Sequence, residues 1–461
     1  MKELFEFQVE FRDNIRRAFK GNKRIIACAH PGFGKTITFC DIARSTIAKG
    51  NVVCIAAHRI EIFQQTFNQL RSFGITPSLI MPGKHPMPGA QVYLTMVETF
   101  CRRMDKGLTE KLNINFFILD EAHLGNYAKL INELNDEYVL GFTGSPKAAG
   151  KIELKDLYDN IVCGIGVEEL IALGRLVPAR TFSVSHDFSK VKKKGKDFDD
   201  AALMLEFKKP KLYEGAVNMY LKHAQGLKAL CYCVNVEHSN ATVLQFRERG
   251  IRAAHVDGTT DDETRNRLFE WLREGKLDVL SNVGIATVGT DIPSVKCIIK
   301  NYATLSLVKD VQTSGRGARA DDDKQDFIII DMGRNYQRFG LFGEHVDWKR
   351  IFMHPSEAFK KEAKVKSKRE CPECAFVMNF ATIECPNCGY KTPKEKLEKM
   401  MVIGMTAEEV KEYRMKHLPV HLRIPVDNMN YEDLKDYAHF LGYSPRWVGV
   451  MMGLRKNRKK A

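Results

Sequence analysis

The chain has 461 residues, of which 44% are apolar and 28% are charged. At roughly 150 residues per domain it is too long for one compact domain, and its composition excludes a wholly disordered chain. Lysine and arginine exceed the acids by 14, with half of that excess in residues 351–461, and such a surplus favours a polyanionic partner.

The N-terminal segment MKELFEFQVEFRDN carries acids and has no apolar core of the kind that secretion signals have. No apolar run in the sequence approaches the length of about 18 residues that spans a bilayer. Of the twelve cysteines, eight lie mostly among apolar neighbours, which is typical of reduced thiols in a protein core. The sequence therefore predicts a cytoplasmic protein that has no membrane partner.

Short apolar runs alternate with amphipathic stretches in the first third of the chain. The runs are RIIACAH (24–30), NVVCIAAH (51–58), QVYLTMV (91–97), FFILDEAH (116–123) and YVLGFTGS (138–145). This alternation is typical of a parallel sheet built from βαβ units. It breaks across 151–211, where 191–200 reads as a charged loop, and it resumes from 229 to 332. The pattern predicts two α/β domains, 1–150 and 212–345, joined by a linker over 151–211.

A glycine-rich segment follows the first strand and opens a helix. It reads His30-Pro31-Gly32-Phe33-Gly34-Lys35-Thr36. Gly32 and Gly34 let backbone N–H groups surround phosphate oxygens, and the helix N-terminus adds its positive end. Lys35 would reach the β- and γ-phosphates of ATP, and the Thr36 hydroxyl would ligate Mg²⁺. Ala29 stands where the strict pattern has glycine, and the alternative is an ordinary glycine-rich turn with a chance lysine.

A second motif, which is acidic, follows the strand FFIL and reads Asp120-Glu121-Ala122-His123. A carboxylate at the tip of a buried strand is costly unless it binds something. Asp120 can hold Mg²⁺ directly or through water, and Glu121 can orient and deprotonate the attacking water. The alternative is an exposed acidic turn, but the two motifs occur in the order that a phosphate and magnesium site requires.

With these motifs the sequence resembles the DExH/D-box helicases of superfamily 2, which implies two tandem RecA-like motor domains. Further segments match other motifs of this superfamily. Thr143-Gly144-Ser145-Pro146 matches the motif that couples the ATP state to nucleic-acid binding, and His58, Arg59 and Thr95 match positions that contact nucleic acid. In the second domain, Gly289-Thr290-Asp291 matches the nucleotide motif, and Gln312 with Arg316 and Arg319 matches the arginine-finger motif. Gln8, which precedes Lys35 by 27 residues, matches the glutamine that reads adenine. The resemblance implies that Gly289, Asp291 and Gln8 bind nucleotide.

Arg316 and Arg319 also carry a physical argument of their own. Arginines three residues apart lie on one face if their segment is helical. From a second domain they could reach the γ-phosphate only when the two domains close, so that hydrolysis would depend on closure. The alternative is a basic surface helix.

Four cysteines form two CxxC pairs that are separated by ten residues. They are Cys371, Cys374, Cys385 and Cys388. Two such pairs can wrap one tetrahedral Zn²⁺, whereas a disulfide pair is unexpected in a cytoplasmic protein. The ribbon could be a structural clip or a module that contacts nucleic acid, and the basic flank 360–370 leaves both open. We predict a basic linker with a zinc ribbon over 346–400.

The last segment, 401–461, is predicted to hold a small helical element and a basic tail. Trp447 in it is either a packing anchor or a stacking platform. The order of motors, ribbon and tail, with the phrases DMGRNYQRFG (331–340) and GTDIPSV (289–295), is similar to the RadD group of bacterial DNA-repair helicases. Phage relatives have the same arrangement.

The sequence thus predicts an ATP-hydrolysing helicase or translocase that acts on single-stranded or branched DNA in repair or recombination. An RNA helicase, or an ATP-dependent clamp that does not unwind, would have the same ATP site. A restriction motor subunit is a further alternative, although the sequence shows no nuclease motif. The resemblance also implies a single-stranded-DNA-binding protein as a partner.

Overall fold

The structure is a computed structural model that describes residues 3–124, 127–147, 152–284, 295–321, 323–355, 368–380, 382–393, 428–435, 448–449 and 451–452. The chain divides into two compact units, Met1–Lys364 with Glu370–Val377 and Val365–Arg369 with Met378–Ala461. The first unit contains two parallel sheets, and we call the parts built on them domain 1 and domain 2.

Domain 1 is built on a seven-stranded parallel sheet. Its elements are α1 (Glu6–Ala18), β1 (Arg24–Cys28), α2 (Lys35–Ile47), β2 (Val53–Ala57), α3 (Ile60–Ser72), β3 (Ser78–Ile80), β4 (Val92–Met96), α4 (Val97–Met104), β5 (Phe116–Asp120), α5 (Tyr127–Glu133), β6 (Tyr138–Thr143) and β7 (Asn160–Cys163). The strand order is β3-β4-β2-β5-β6-β1-β7. Strands β2 and β5 are buried along their whole length, as expected for a sheet that is covered on both faces.

Domain 2 is built on a six-stranded parallel sheet. Its elements, after the connecting helix α6 (Val167–Ala172), are β8 (Ala179–Ser183), β9 (Lys193–Lys194), β10 (Asp197–Phe198), α7 (Asp200–Phe207), α8 (Pro210–Tyr213), α9 (Gly215–His223), β11 (Ala229–Cys233), α10 (Val236–Glu248), β12 (Ala253–Val256), α11 (Asp262–Glu274), β13 (Val279–Asn282), β14 (Cys297–Asn301), α12 (Leu307–Gly315), β15 (Phe327–Asp331) and α13 (Tyr336–Phe339). The strand order is β12-β13-β11-β14-β15-β8. Helix α14 (Trp348–Met353) follows domain 2 in the chain. The predicted pair of RecA-like parallel-sheet domains is confirmed.

The segment 151–211, expected to be a linker, contributes a strand to each sheet. Strand β7 pairs with β1 in domain 1, and β8 pairs with β15 in domain 2. The expected charged loop at 191–200 contains the small antiparallel hairpin of β9 and β10. Strands β7 and β8 both lie at the edges of their sheets. Fewer residues need to be apolar in an edge strand, so the apolar pattern that identifies a strand in the sequence is weaker there.

The C-terminal part contains a second hairpin of β16 (Lys368–Glu370) and β17 (Val377–Asn379). Residues 431–435 are helical, and Leu434 is buried with Met429 and Val448. The predictions for 360–367, Trp447 and the tail 455–461 lie outside the described residues. In the described part of the chain, no helix has the length and apolar character that crossing a membrane requires.

Candidate active site

The segment between β1 and α2 forms a tight loop at the carboxyl end of the sheet. Gly32 and Gly34 have φ angles of 88° and 87°, a region that favours glycine. A Cβ at Gly34 would collide with the side-chain amide of Gln8. Ala29, where the strict motif has glycine, is fully buried and its N–H donates to the Thr143 carbonyl at 2.8 Å. The loop therefore has the backbone of a phosphate-binding loop despite this departure.

Lys35 and Glu121 form a buried ion pair in front of this loop. Lys35 Nζ donates to Glu121 Oε1 at 2.7 Å, and the two side chains are only 16% and 15% exposed. Burial opposes both charges, but the neighbouring carboxylates raise the pKa of Lys35, and Lys35 with His123 lowers the pKa of Glu121 to about 2. Glu121 is therefore ionised at neutral pH, as a general base must be.

Asp120 and Glu121 have unusual surroundings at the end of β5. Burial raises the pKa of Asp120 to about 6 against the opposing effect of Lys35, and its Oδ1 accepts from the Glu121 N–H at 2.9 Å. Glu121 has a φ angle of 51°, a left-handed conformation that is costly for a residue other than glycine. Such strain typically marks functional positions, because surrounding contacts must hold it.

His123 joins three residues of the site. Its Nδ1 lies 2.9 Å from Thr143 Oγ1 and 3.3 Å from Glu121 Oε2, and its Nε2 lies 3.1 Å from Gln312 Nε2. An amide nitrogen can only donate, so we assign His123 Nε2 as the acceptor and Nδ1 as the protonated nitrogen. Burial lowers the pKa of His123, which is consistent with this neutral form.

Helix α12 brings domain 2 to the phosphate-binding loop. A Cβ at Gly315, the last residue of α12, would lie 3.2 Å from Pro31 Cγ. Arg316 follows at the helix end; burial lowers its pKa, and its charge is among those that lower the pKa of Glu121. Gln312 and Arg316 are thus brought to the domain 1 site.

Arg319 does not share a helical face with Arg316, because α12 ends at Gly315. The backbone of Arg319 instead forms an antiparallel bridge with Leu176, and burial lowers the pKa of its guanidinium. Leu176 also packs on the phosphate-binding loop, since a Cβ at Gly32 would collide with its side chain. Leu176 had no signal in the sequence, because its contacts are made with distant parts of the chain.

Gln8 lies directly beside the phosphate-binding loop. Its Nε2 donates to the Phe33 carbonyl at 2.7 Å, and its Oε1 accepts from the Phe5 N–H at 3.0 Å. The guanidinium of Arg175 lies 3.7 Å above the ring centre of Phe5. Phe5 and Arg175 are neighbours of Gln8 that the sequence did not indicate, and the reading of the nucleotide by Gln8 stays a prediction.

The predicted nucleic-acid contacts in domain 1 have different surroundings. Arg59 is the N-terminal cap residue of α3, next to His58, whose pKa burial and the Arg59 charge lower to about 4. Thr95 is fully buried, and its hydroxyl bonds to the carbonyls of Ile80 and Met96, both at 3.1 Å. The Thr95 hydroxyl is thus engaged within domain 1, and the nucleic-acid contacts of His58, Arg59 and Thr95 stay predictions. Gly289 and Asp291 lie outside the described residues.

One buried tyrosine, which sequence analysis missed, holds the ends of the two central strands β2 and β5. The hydroxyl of Tyr127 donates to the carbonyl of Asp120 at 2.7 Å and lies 3.1 Å from that of Ala56. Tyr127 is fully buried, so it fixes the ends of β5 and β2 relative to each other. Its position at the start of α5 carries no motif, and only the fold indicates the role.

The four spaced cysteines come together in the structure. The Sγ atoms of Cys371, Cys374, Cys385 and Cys388 all lie within 4.8 Å of one another. Each CxxC pair closes a turn, with the Ala375 N–H bonded to the Cys371 carbonyl at 2.9 Å and the Gly389 N–H to that of Cys385 at 2.8 Å. Four thiolates in this arrangement fit one tetrahedral Zn²⁺.

The first of these turns, residues 370–377, packs on domain 2. The Ser183 N–H donates to the Ala375 carbonyl at 3.0 Å, and Lys222 Nζ donates to the Glu373 carbonyl at 2.8 Å. Arg334 and Glu370 add an ion pair of 2.6 Å. This half of the cysteine cluster is therefore attached to the edge of the second sheet at β8.

Two family models match the chain in the order of its two domains. The type III restriction enzyme res subunit family matches residues 1–148, and the helicase conserved C-terminal domain family matches residues 211–321. A "51.5 kDa protein" of a Lactococcus phage is 32% identical over 377 residues, which cover 80% of this chain and 79% of the phage protein. The chain belongs to the superfamily 2 helicases.

Two further proteins also match the chain. IRC3 of Saccharomyces cerevisiae, named as an ATP-dependent helicase, is 30% identical over 339 residues; the match covers 68% of this chain and about half (49%) of IRC3. The solved structure of the DNA-bound LlaBIII type ISP restriction-modification enzyme matches with a TM-score of 0.52 at 16% identity, over 76% of this chain and 29% of that one. The latter likeness shows the fold alone.

As a superfamily 2 helicase, the chain is an ATP-hydrolysing enzyme that acts on nucleic acid. The helicase domains imply ATP and Mg²⁺. The oxygen donors of Thr36 and Asp120 are of the kind that Mg²⁺ prefers, and the buried Asp120 carboxylate would gain from a nearby cation. When bound, Mg²⁺ supplies charge neutralisation to the phosphates.

Proposed function

We propose that the protein is a DNA helicase or translocase of repair or recombination, and that its ATP site is built from both domains. One observation carries this proposal: Lys35, Glu121, His123 and Gln312 form a continuous series of polar contacts across the domain boundary. A series that runs from the phosphate-binding loop to domain 2 suits a motor in which domain closure and hydrolysis are linked.

We assign each residue of this site a separate role. Lys35 would bind the β- and γ-phosphates, and Thr36 and Asp120 would hold Mg²⁺. Glu121 orients the attacking water and takes its proton, since the low pKa of Glu121 keeps it ionised at neutral pH. His123 holds Glu121 in place and links it to Gln312. Arg316 stabilises the charge that develops on the γ-phosphate, with Arg319 as the second arginine.

Two of the comparisons support DNA as the nucleic acid. The family model over 1–148 is that of a restriction enzyme subunit, and LlaBIII was solved bound to DNA. A second candidate is an RNA helicase, because the RNA helicase DBP5 of Saccharomyces cerevisiae is 22% identical over 351 residues. A backbone-gripping motor needs no base contacts, so this core is compatible with either polymer.

Parallel measurements of ATP turnover and strand displacement test the proposal. We expect single-stranded or forked DNA to stimulate ATP turnover more than RNA does, with Lys35→Ala inactive on all of them. Stimulation by RNA alone would replace the DNA assignment with the RNA helicase. Strong stimulation by DNA without displacement on any fork, and without movement along single strands, would indicate an ATP-dependent clamp.

The cysteine cluster is proposed to hold one Zn²⁺ and to act first as a structural clip. The attachment of residues 370–377 to domain 2 supports the clip over a free nucleic-acid module. Nucleic-acid contact by the basic segments 360–370 and 455–461 remains a second proposal. Deleting 455–461 should flatten the salt dependence of DNA binding, because fewer phosphates are neutralised. An unchanged salt slope would exclude the tail from DNA contact.

The finer grouping is proposed on the shared order of motors, cysteine cluster and tail. On that basis we place the chain near the RadD group of DNA-repair helicases, in the cytoplasm. A single-stranded-DNA-binding protein as partner follows from that grouping alone. Binding of the purified protein to such a partner, with and without DNA, would test it; no binding in either condition would remove the partner.

A further inference from the structure

The chain returns to domain 1 after it has completed domain 2. Strand β15 ends the second sheet at Asp331, and α14 follows at Trp348–Met353. Trp348, Ile351 and Phe352 of α14 are buried in the same apolar cluster as Ile26 of β1 and Ile161 of β7. Domain 2 is therefore tied to domain 1 through the linker before β8 and again through α14.

Trp348 makes a specific contact with the phosphate-binding loop. Its Nε1 lies 3.3 Å from Nε2 of His30, and the two rings are tilted with centres 6.2 Å apart. His30 directly precedes Pro31 and Gly32, and its carbonyl accepts from the Phe33 N–H at 3.1 Å. The loop is thus connected through His30 to a residue 318 positions further along the chain.

The chemistry of this hydrogen bond fixes the form of His30. An indole N–H can only donate, so His30 Nε2 must be the unprotonated nitrogen. His30 is 8% exposed and Trp348 is 3% exposed, so water cannot readily replace the indole. Burial, with the charge of Lys35, lowers the pKa of His30 to about 4, and the ring is neutral at physiological pH. Without Trp348, a buried acceptor at the base of the loop would lose its donor.

We propose that Trp348 is a positioning residue for ATP binding, which fixes the phosphate-binding loop through His30. The inference rests on the proposed ATP site. Helix α14 is attached to the end of domain 2. The conformation of the phosphate-binding loop therefore depends on both domains. His30 lies outside the set Lys35, Thr36, Asp120 and Glu121, so its effect is on the loop's shape and not on the chemical step.

The variant Trp348→Phe removes the donor and keeps an aromatic ring in the cluster. A phosphate-binding loop that is less well fixed should weaken the binding of ATP by the same amount in the ground state and in the transition state. KM should therefore rise while kcat stays nearly constant. We expect KM for ATP to rise about 3- to 10-fold, the range for a lost buried hydrogen bond of which part is recovered by relaxation. Ile351→Ala in the full chain is the matched control, because it removes packing from the same helix without touching His30.

The expected result is a higher KM in Trp348→Phe and an unchanged KM in Ile351→Ala, although both lower the melting temperature. A second variant, His30→Leu, should raise KM by itself, and adding Trp348→Phe to it should raise KM no further. An unchanged KM in Trp348→Phe, or additive effects with His30→Leu, would overturn the inference. If Trp348→Phe fails to fold, an unchanged KM in His30→Leu overturns it alone. Lys35→Ala, measured in parallel, tests the ATP site itself: ATP turnover that survives it would refute the site, whatever Trp348 does.

Discussion

Gln312 Nε2 of domain 2 lies 3.1 Å from His123 Nε2 of domain 1. His123 in turn contacts Glu121, the proposed base, and Thr143, whose hydroxyl accepts from the Ser145 N–H at 3.0 Å. The His123 imidazole therefore contacts domain 2 and the hydrolytic carboxylate, and it is linked through Thr143 to the loop after β6. A shift of α12 would alter the hydrogen bonding of Glu121 through this ring, which gives closure a direct route to the chemical step.

Replacing Gln312 by alanine should uncouple hydrolysis from domain 2. We expect DNA-stimulated ATP turnover to fall on the order of 10²-fold, since a positioning hydrogen bond to the base's partner is lost. Nucleotide affinity, measured by binding of a fluorescent ADP analogue, should stay unchanged. Gln65→Ala, at an exposed position of α3, is the control. Full stimulation in Gln312→Ala would show that the His123 contact is dispensable.

The two arginines after α12 should differ in their effects. Arg316 influences the charge of Glu121, so Arg316→Ala should lower kcat by about 10³-fold with nucleotide binding retained, the scale of an arginine finger. Arg319→Ala should also lower kcat, but by less, because the Arg319 backbone is engaged with Leu176. Single-turnover ATP hydrolysis separates the chemical step from binding. A larger loss of kcat in Arg319→Ala would reverse the two roles.

Zinc removal should destabilise domain 2. Purified protein should contain about one zinc per chain, and Cys371→Ser should lose it, because four thiolates share one ion. Residues 370–377 hold the β8 edge, so the variant should also melt at a lower temperature. Cys163→Ser, at an exposed cysteine outside the cluster, is the control for both measurements. Unchanged zinc content in Cys371→Ser would disprove the assigned ligand set.

Acid should weaken the fold through buried histidines such as His238 in α10. Burial lowers the pKa of His238 to about 4, below the value of about 6.5 in an unfolded chain. The unfolded chain then binds the proton first, so the contribution of His238 to stability is complete above about pH 6.5 and is lost as pH falls toward 4. By pH 5 the loss is about 2 kcal/mol.

Denaturant unfolding of wild type and His238→Gln at pH 7.5 and pH 5 measures this contribution. The variant should be less stable at pH 7.5, but it should lose about 2 kcal/mol less than the wild type between the two pH values. Equal losses in both proteins would mean that His238 does not become protonated in this range.

The features that could be predicted from the sequence are those whose residues lie close together along the chain. The phosphate-binding loop, the Asp120-Glu121 pair and the cysteine cluster are short motifs whose members are close in the chain. The two parallel sheets followed from the apolar runs for the same reason. Strands β7 and β8 were missed because they lie at sheet edges within a segment of mixed composition.

Long-range contacts could not be predicted from these patterns. The helical face expected for Arg316 and Arg319 is wrong, because α12 ends at Gly315. The two glycines of QTSGRGAR (312–319) are of the residue type that commonly ends helices. Thr95 matched a motif position, yet the fold turns its hydroxyl inward. Trp348 contacts His30 across most of the chain, a relationship that only the packing of α14 on domain 1 creates.

The most direct test of the central claim is ATP turnover by Glu121→Gln in the presence of single-stranded DNA. This substitution keeps the size of the side chain and its capacity to accept from Lys35, but removes the base. The account predicts that ATP still binds and that turnover falls by about 10³-fold or more. Near-normal turnover by the folded variant would contradict the claim that Glu121, held by Lys35 and His123, activates the water.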